Sequence, residues 1–265
     1  MGRRRQFIEG PFGPFLVLAY VMFMTRPIYA IGDIHGQIEM LHESLERIER
    51  DGGKDAKIVF LGDYVDRGAS SDKVIELLMD GVQAGKNWTC LLGNHDRMFT
   101  MFLEDYPRTD YRLKPGYDWF HKNIGGVETM AAYGVEVHSE RRLFQIHEEA
   151  KQAVPQSHLD FLSTLPLTLE QDNLLFVHAG IKPGLALKEQ HPDDLVWIRE
   201  GFLDHTAPYP WLVVHGHTTI DAATHYGNRI NLDSGAGYGK PLSTAVFEGG
   251  ESWLLTDEGR QALTP

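Results

Sequence analysis

The chain has a single cysteine, Cys90, in 265 residues, so no intrachain disulfide can form and a reducing, cytoplasmic setting is expected. Cys90 itself reads as a small buried residue of a strand. Positive charge is scarce: 25 lysines and arginines face 37 aspartates and glutamates, for a net charge of −12. A field of that sign repels a nucleic-acid backbone, which excludes nucleic acid as a partner. An anionic substrate must instead be held locally, by metal ions or a few arginines. Long apolar runs are also missing. The longest, residues 15 to 24, has ten residues, against the roughly 20 that span a bilayer. Three arginines precede it, as in a signal peptide, but no small-x-small cleavage site follows, and the first strand begins at about Ile28. Residues 1–23 are therefore read as a dispensable extension with Met24 as the natural start, residues 24–265 as one domain, and no membrane partner is expected.

From Pro27 onward the chain alternates short apolar runs with helical periodicity: "IYAIGDIHG" then "IEMLHESLERIERDGG", "KIVFLGDYVDRG" then "SDKVIELLMDGVQAGK", and "WTCLLGNHDRM" then "FTMFLEDY". Unalternated apolar runs suit strands buried on both faces, and three βα units in a row imply a parallel sheet. Gly52-Gly53 and Gly85 stand where helices should end, and Ser70 or Ser71 could cap the second helix. Residues 98–165 read as a mainly helical insertion, whose aromatics Tyr111, Tyr117, Trp119 and Phe120 are expected inside it rather than along a substrate groove. The strand pattern resumes at "NLLFVHAG" and "WLVVHGHT". The last three runs, "RINLDSG", "LSTAVFEGG" and "ESWLLTDEG", are spaced like antiparallel hairpin strands. The expected fold is α/β, with two mixed sheets packed as a sandwich and flanked by helices.

Five expected strand ends carry metal-binding side chains: Asp33 and His35 in "GDIHG", Asp63 in "GDYVDRG", Asn94 in "GNHD", His178 in "VHAG" and His217 in "HGHT". Parallel strands point their carboxyl ends the same way, so these loops converge on one crevice. The donors are oxygen and imidazole nitrogen without thiolate, which suits Mn²⁺, Fe or Zn²⁺, and their number suffices for two ions. Asp63 could bridge two cations about 3.5–4 Å apart, an arrangement suited to in-line displacement at phosphorus. His215 could replace His217 as ligand, but His217 is preferred, with His215 beside it.

"GDIHG", "GDYVDRG", "GNHD", "VHAG" and "HGHT", in that order, resemble the phosphoprotein phosphatase family of calcineurin-like metallophosphoesterases, and "DLVWIREGFL" is similar to bacterial members. The resemblance implies that Asp33 and His35 bind one metal, that Asp63 bridges, and that Asn94, His178 and His217 bind the other. It further implies that Arg67 and Arg199 hold the phosphate with Asn94, that His95 is the acid and that Asp66 orients it. The implied reaction is direct attack by a hydroxide bridging two divalent ions, with Mn²⁺ the first expectation. Physical chemistry agrees, since a dianionic phosphate suits the planar fork of arginine, and an imidazole kept charged by a carboxylate can protonate a leaving alkoxide. Asp96 stands where the eukaryotic pattern has glutamate, and a structural role is expected for it. Tyr238, in a glycine-rich turn, is a weaker candidate for the cleft. The expected function is a phosphatase acting on phosphoserine or phosphothreonine in proteins. The alternatives are diadenosine tetraphosphate hydrolysis, whose family usually lacks an equivalent of Asp66, and a non-enzymatic metal-binding scaffold; a small phosphate ester would also serve as substrate.

Overall fold

Residues 26–265 are described by the computed structural model, so the extension read at residues 1–23 lies outside the described residues. The short apolar runs become strands, numbered here in chain order. β1 (Ile28–Ile31), β2 (Lys57–Phe60) and β3 (Trp88–Cys90) pair in parallel through crossover helices α1 (Ile38–Gly52) and α2 (Ser71–Gln83). A second sheet follows with β4 (Thr168–Gln171), β5 (Leu174–Val177), β6 (Leu212–His215), β7 (Thr224–His225) and β8 (Arg229–Asn231), in the order β4-β5-β6-β8-β7. The chain then returns to the first sheet with β9 (Thr244–Glu248), β10 (Glu251–Thr256) and β11 (Gly259–Ala262), giving β11-β10-β9-β1-β2-β3. Both sheets mix parallel and antiparallel pairs, as expected from the sequence.

Alternation along β1 distributes the core. Ile28 and Ala30 face the second sheet with Val59, Leu61, Phe176, Val214, Ile230 and Phe247. Tyr29 and Ile31 face Leu41 and Ile48 of α1 and Ile75 and Leu78 of α2. The Phe176 and Phe247 rings meet edge to face at 5.8 Å across the two sheets, so truncating either to alanine would cost about 3–5 kcal/mol. Leu175, Val177 and Val213 cover the outer face of the second sheet together with Leu195 and Phe202.

Two expectations need correction. "RINLDSG" does not open the terminal hairpin: β8 pairs in parallel with β6, and β9 pairs with β1 in the other sheet. The linker between β8 and β9 crosses from one sheet to the other and carries site residues, so it is no tight turn. Only β9 and β10 form the expected glycine-turned hairpin, and β10 also pairs with β11, whose "GRQA" shows no apolar alternation. Nor does the second helix take a serine cap: Ser70 makes no cap bond, and Ser71 Oγ instead accepts the Asp66 N–H at 3.2 Å. Gly53 and Gly85 do follow the helix ends, both with positive φ.

Between the sheets the chain forms α3 (Asn94–Phe102), α4 (Gly126–Ala132), α5 (Leu143–Ala153) and α6 (Gln156–Ser163), with the break at Val154-Pro155 where proline cannot continue a helix. α3 starts at Asn94, on the metal loop itself. α7 (Pro192–Trp197) opens on proline at its first turn. Among the described residues no helix is long and apolar enough to cross a membrane.

Candidate metal and phosphate site

The loops after β1, β2 and β3 meet those after β5, β6 and β8 at one end of the sandwich. Asp63 stands at the centre. Its Oδ2 lies 3.6 Å from His35 Nε2 and 3.9 Å from His95 Nε2, while Oδ1 lies 3.4 Å from His178 Nε2. Two buried trios of ligand atoms result, His35–Asp63–His95 and Asp63–His178–His217, sharing Asp63. Asn94 Oδ1 lies 2.9 Å from His178 Nε2 and 2.7 Å from His217 Nδ1. Asp33 falls in neither trio: its carboxylate accepts the His217 backbone N–H at 3.0 and 3.2 Å. His215 also stands apart, against the Gly216 carbonyl and the Arg229 guanidinium.

Holding these groups together costs the backbone. Six non-glycine residues among those described adopt positive φ, and five of them are His35, Asp63, Asp66, Arg67 and His217. Each such position costs of order 1–3 kcal/mol and persists only where its surroundings enforce it. Asp96 is one enforcer, since its carboxylate accepts the backbone N–H groups of Asp63 and Tyr64 at 2.8 Å and of Gly93 at 3.0 Å. It thereby ties the β2 and β3 loops together. Gly93 is another requirement: a Cβ there would strike Asp63 Oδ1 and N, as one on Gly216 would strike Asp33 Oδ1.

The donor set fits divalent cations. His35 Nδ1 lies 2.7 Å from the Val65 carbonyl and His178 Nδ1 lies 2.8 Å from that of Leu61. A carbonyl only accepts, so in each neutral ring the proton sits on Nδ1 and Nε2 presents a lone pair to the cluster. The His178 lone pair then faces Asn94 Oδ1, another acceptor, a pairing that a cation would relieve. Burial, followed by the charges of Asp233 and Asp63, holds the Asp33 carboxyl well above its usual range, and burial holds His35 and His217 well below theirs. Bound cations would offset that crowding of acids.

Beside the cluster, His95 Nδ1 lies 2.6 Å from Asp66 Oδ2. Asp66 is fully buried and also accepts from Trp119 Nε1 at 2.9 Å and Thr129 Oγ1 at 2.7 Å. Burial pushes the Asp66 carboxyl up to about 7 against those bonds, and it pushes His95 down to about 3. Arg67 reaches in from the β2 loop, with one Nη against His35 Nε2 and the other 3.2 Å from His95 Nε2. Arg199 donates to the His217 carbonyl at 3.4 Å. Both arginines line a cleft of about 460 Å³ together with Asp63, Asn94, His95 and Tyr238. Tyr238, exposed, stacks under the Arg67 guanidinium at 4.7 Å and so stands at the cleft.

A family profile described as calcineurin-like phosphoesterase matches residues 26–241. The chain belongs to this family. An asymmetrical bis(5'-nucleosyl)-tetraphosphatase, PrpE, of Oceanobacillus iheyensis is 25% identical over 241 residues, covering 82% of this chain and 87% of that protein. The PrpE of Bacillus subtilis is 26% identical over 245 residues, covering 82% and 89%. Among solved structures, one of a candidate diadenosine tetraphosphatase superposes with a TM-score of 0.61 at 22% identity, covering 88% of this chain and 96% of that one. The cold-active protein-tyrosine phosphatase of a Shewanella species gives 0.59 at 18%, covering 90% and 80%. Both structures agree in fold.

Three residues at the site were not assigned to it from the sequence. Trp119 and Thr129 hold Asp66 from the helical segment, where nothing in their local pattern distinguishes them from core residues. Asp233, after β8, is buried beside the cluster, with its carboxyl raised by burial and bonded by Thr219 Oγ1 at 2.8 Å. Its signal was a further strand-end aspartate, "NLDSG", hidden by the hairpin reading. Of the four aromatics expected inside the helical segment, Trp119 and Phe120 pack there, Tyr117 lines the cleft, and Tyr111 is 74% exposed.

Proposed function

We propose that the protein is a dinuclear-metal hydrolase of phosphate esters and anhydrides, with dinucleoside polyphosphate as its substrate class. The observation that carries the reading is Asp63, shared by two trios of ligand atoms directly beside Arg67, Arg199 and the Asp66–His95 pair. In it Asp33, His35, Asp63, Asn94, His178 and His217 hold two divalent ions. When bound, the ions supply charge neutralisation and water activation at neutral pH.

The protein's own residues do the rest. Arg67 turns from His35 and His95 to the phosphate, and Arg199 grips it from the α7 side. That turn frees Nε2 and removes one of the charges that lower His95. The negative charge of Asp63 and of the phosphate offsets the burial that keeps the ring neutral, and Asp66 accepts from Nδ1 and fixes the ring, so that Nε2 can hold a proton. As the oxygen of a water that has lost a proton to solvent bonds to phosphorus, the opposite P–O bond breaks and the proton on His95 Nε2 passes to the leaving oxygen; solvent then reprotonates His95. Positioning supplies about 7–11 kcal/mol. For a monoester such as a phosphoprotein, where accelerations reach about 10²¹-fold, fixed charge must supply much of the remainder.

The substrate class rests on the relatives named as bis(5'-nucleosyl)-tetraphosphatases, which align over about four-fifths of this chain. The second reading, phosphoserine or phosphothreonine in proteins, is supported by Asp66, because a serine or threonine alkoxide needs a proton more than a phosphate leaving group does. Parallel turnover of diadenosine tetraphosphate and a phosphothreonine peptide by the Mn²⁺-loaded protein decides between them. A higher kcat/KM for the dinucleotide supports the first reading. A higher value for the peptide replaces it with the second, and no hydrolysis of either, or of an aryl phosphate, with Mn²⁺, Fe²⁺ or Zn²⁺ rejects both in favour of a metal-binding scaffold.

A further inference from the structure

The cleft beside the metal cluster is bordered on its far side by the segment between α3 and α4, which contributes Arg112 and Lys114. With Arg67 and Arg199, four cationic side chains line one cleft whose only acidic lining residue among the described residues is Asp63. In a chain of net charge −12 this concentration is opposite to the global balance. The segment is also fixed. Asp110, 2% exposed, accepts from Arg97 Nε at 3.0 Å and Nη2 at 2.7 Å, from Trp197 Nε1 at 3.0 Å and from the Arg112 backbone N–H at 3.0 Å. Arg97 belongs to the helix that begins at Asn94, and Trp197 packs edge-on against the His217 ring at 5.7 Å. One buried carboxylate therefore holds the basic segment in register with the Asn94 and His217 side of the metal site. The two cations remain available: Arg112 has only a long 3.9 Å pair with Asp194, and Lys114 is in no ion pair among the described residues.

We infer that Arg112 and Lys114 form a second anion subsite that reads the phosphates beyond the scissile one and sets specificity for a phosphoanhydride chain. This rests on the proposed phosphate hydrolysis, in which Arg67 and Arg199 take the reacting phosphate and leave Arg112 and Lys114 without a partner in a monophosphate substrate. A phosphoanhydride chain carries a charge on each successive phosphate and can meet all four cations in a cleft of this size. An acidic peptide cannot do so as compactly, because its side chains are spaced about 3.3–3.6 Å apart along the backbone and alternate between faces.

The test compares wild type with Arg112→Gln/Lys114→Gln, and with the charge-retaining swap Arg112→Lys/Lys114→Arg, all Mn²⁺-loaded. Kinetics on diadenosine tetraphosphate and on 4-nitrophenyl phosphate give a specificity ratio. It should fall about tenfold or more in the glutamine variant, mainly through KM for the tetraphosphate, and recover in the swap. An unchanged ratio, or a loss confined to an acidic phosphothreonine peptide, overturns the subsite. Calorimetric titration of the metal-free protein with inorganic tripolyphosphate reads the same subsite without turnover, so the subsite is tested even if hydrolysis fails. Weaker binding of tripolyphosphate, but not of inorganic phosphate, in the glutamine variant supports the proposal. Equal tripolyphosphate affinities overturn it. Both variants should melt like wild type, since neither side chain is part of the Asp110 network.

Discussion

His95 Nδ1 and Asp66 Oδ2 lie 2.6 Å apart, and both groups are buried. The carboxylate that orients the imidazole is itself held by Trp119 and Thr129, so the acid is built in layers running from β2 through α3 to the helical segment. If His95 delivers a proton to the leaving oxygen, His95→Asn should lower kcat by about 10²–10⁴-fold on a phosphothreonine peptide. The loss should be smaller on a phosphoanhydride, whose leaving group is less basic. Metal content by elemental analysis should stay near wild type. Because His95 Nε2 also falls within one trio of possible ligands, loss of one ion in the variant would mark His95 as a ligand instead.

Trp119→Phe removes one donor to Asp66 while keeping most of the ring against Phe99 and Phe102. Loss of an outer partner of this kind typically costs 10–100-fold in activity. A fall in kcat of about tenfold with little change in KM is expected. An unchanged kcat would show that Thr129 alone fixes Asp66.

Gly93→Ala and Gly216→Ala each drive a methyl group into a carboxylate of the cluster, Asp63 and Asp33 respectively. Both variants should fold, because the clash is confined to the site loops, yet bind fewer than two ions. Metal stoichiometry after dialysis, alongside circular dichroism, checks this. Full loading of Gly93→Ala would mean that Asp63 is not the shared ligand.

Removing metal should reduce stability as well as activity, since the cations compensate buried acids that the apo protein must hold together. At a metal concentration 100 times its Kd, one site contributes about 2.7 kcal/mol. Melting with and without a chelator should show a clear fall in Tm, restored by Mn²⁺, Fe²⁺ or Zn²⁺. The ion giving the highest turnover identifies the working metal. Identical melting curves would count against occupied sites.

Far from the cleft, Asp51 at the end of α1 accepts from Tyr29 at 2.6 Å and from Arg260 of β11 at 2.7–3.0 Å. Partial burial would raise its pKa, but the bonds from Arg260 and Tyr29 outweigh burial and lower it. A carboxyl depressed on folding stabilises above its unfolded value of about 3.9 and loses that contribution as pH falls through its folded value. Asp51→Asn should therefore lower Tm at pH 7, and the gap to wild type should narrow below about pH 4. A gap independent of pH would assign the effect to packing.

The contiguous stretches "GDIHG", "GDYVDRG", "GNHD", "VHAG" and "HGHT" sufficed to announce the sheets and to nominate the side chains that meet at Asp63, because a strand, its loop and the following helix are encoded by neighbouring residues. Periodicity could not say which sheet "RINLDSG" joins, since β8 is chosen by packing of Ile230 and Leu232 against β1 and β2 residues far away in sequence. It could not single out Trp119, Thr129 or Asp233, whose roles exist only once distant segments are brought into contact. The left-handed backbone at His35, Asp63, Asp66, Arg67 and His217 was equally invisible, for such conformations are imposed by bonds such as those of Asp96 and not by the residues' own preferences. Placing Arg112 and Lys114 across from Arg67 and Arg199 likewise required the fold, because a buried Asp110 bonded to Arg97 and Trp197 decides where that segment lies.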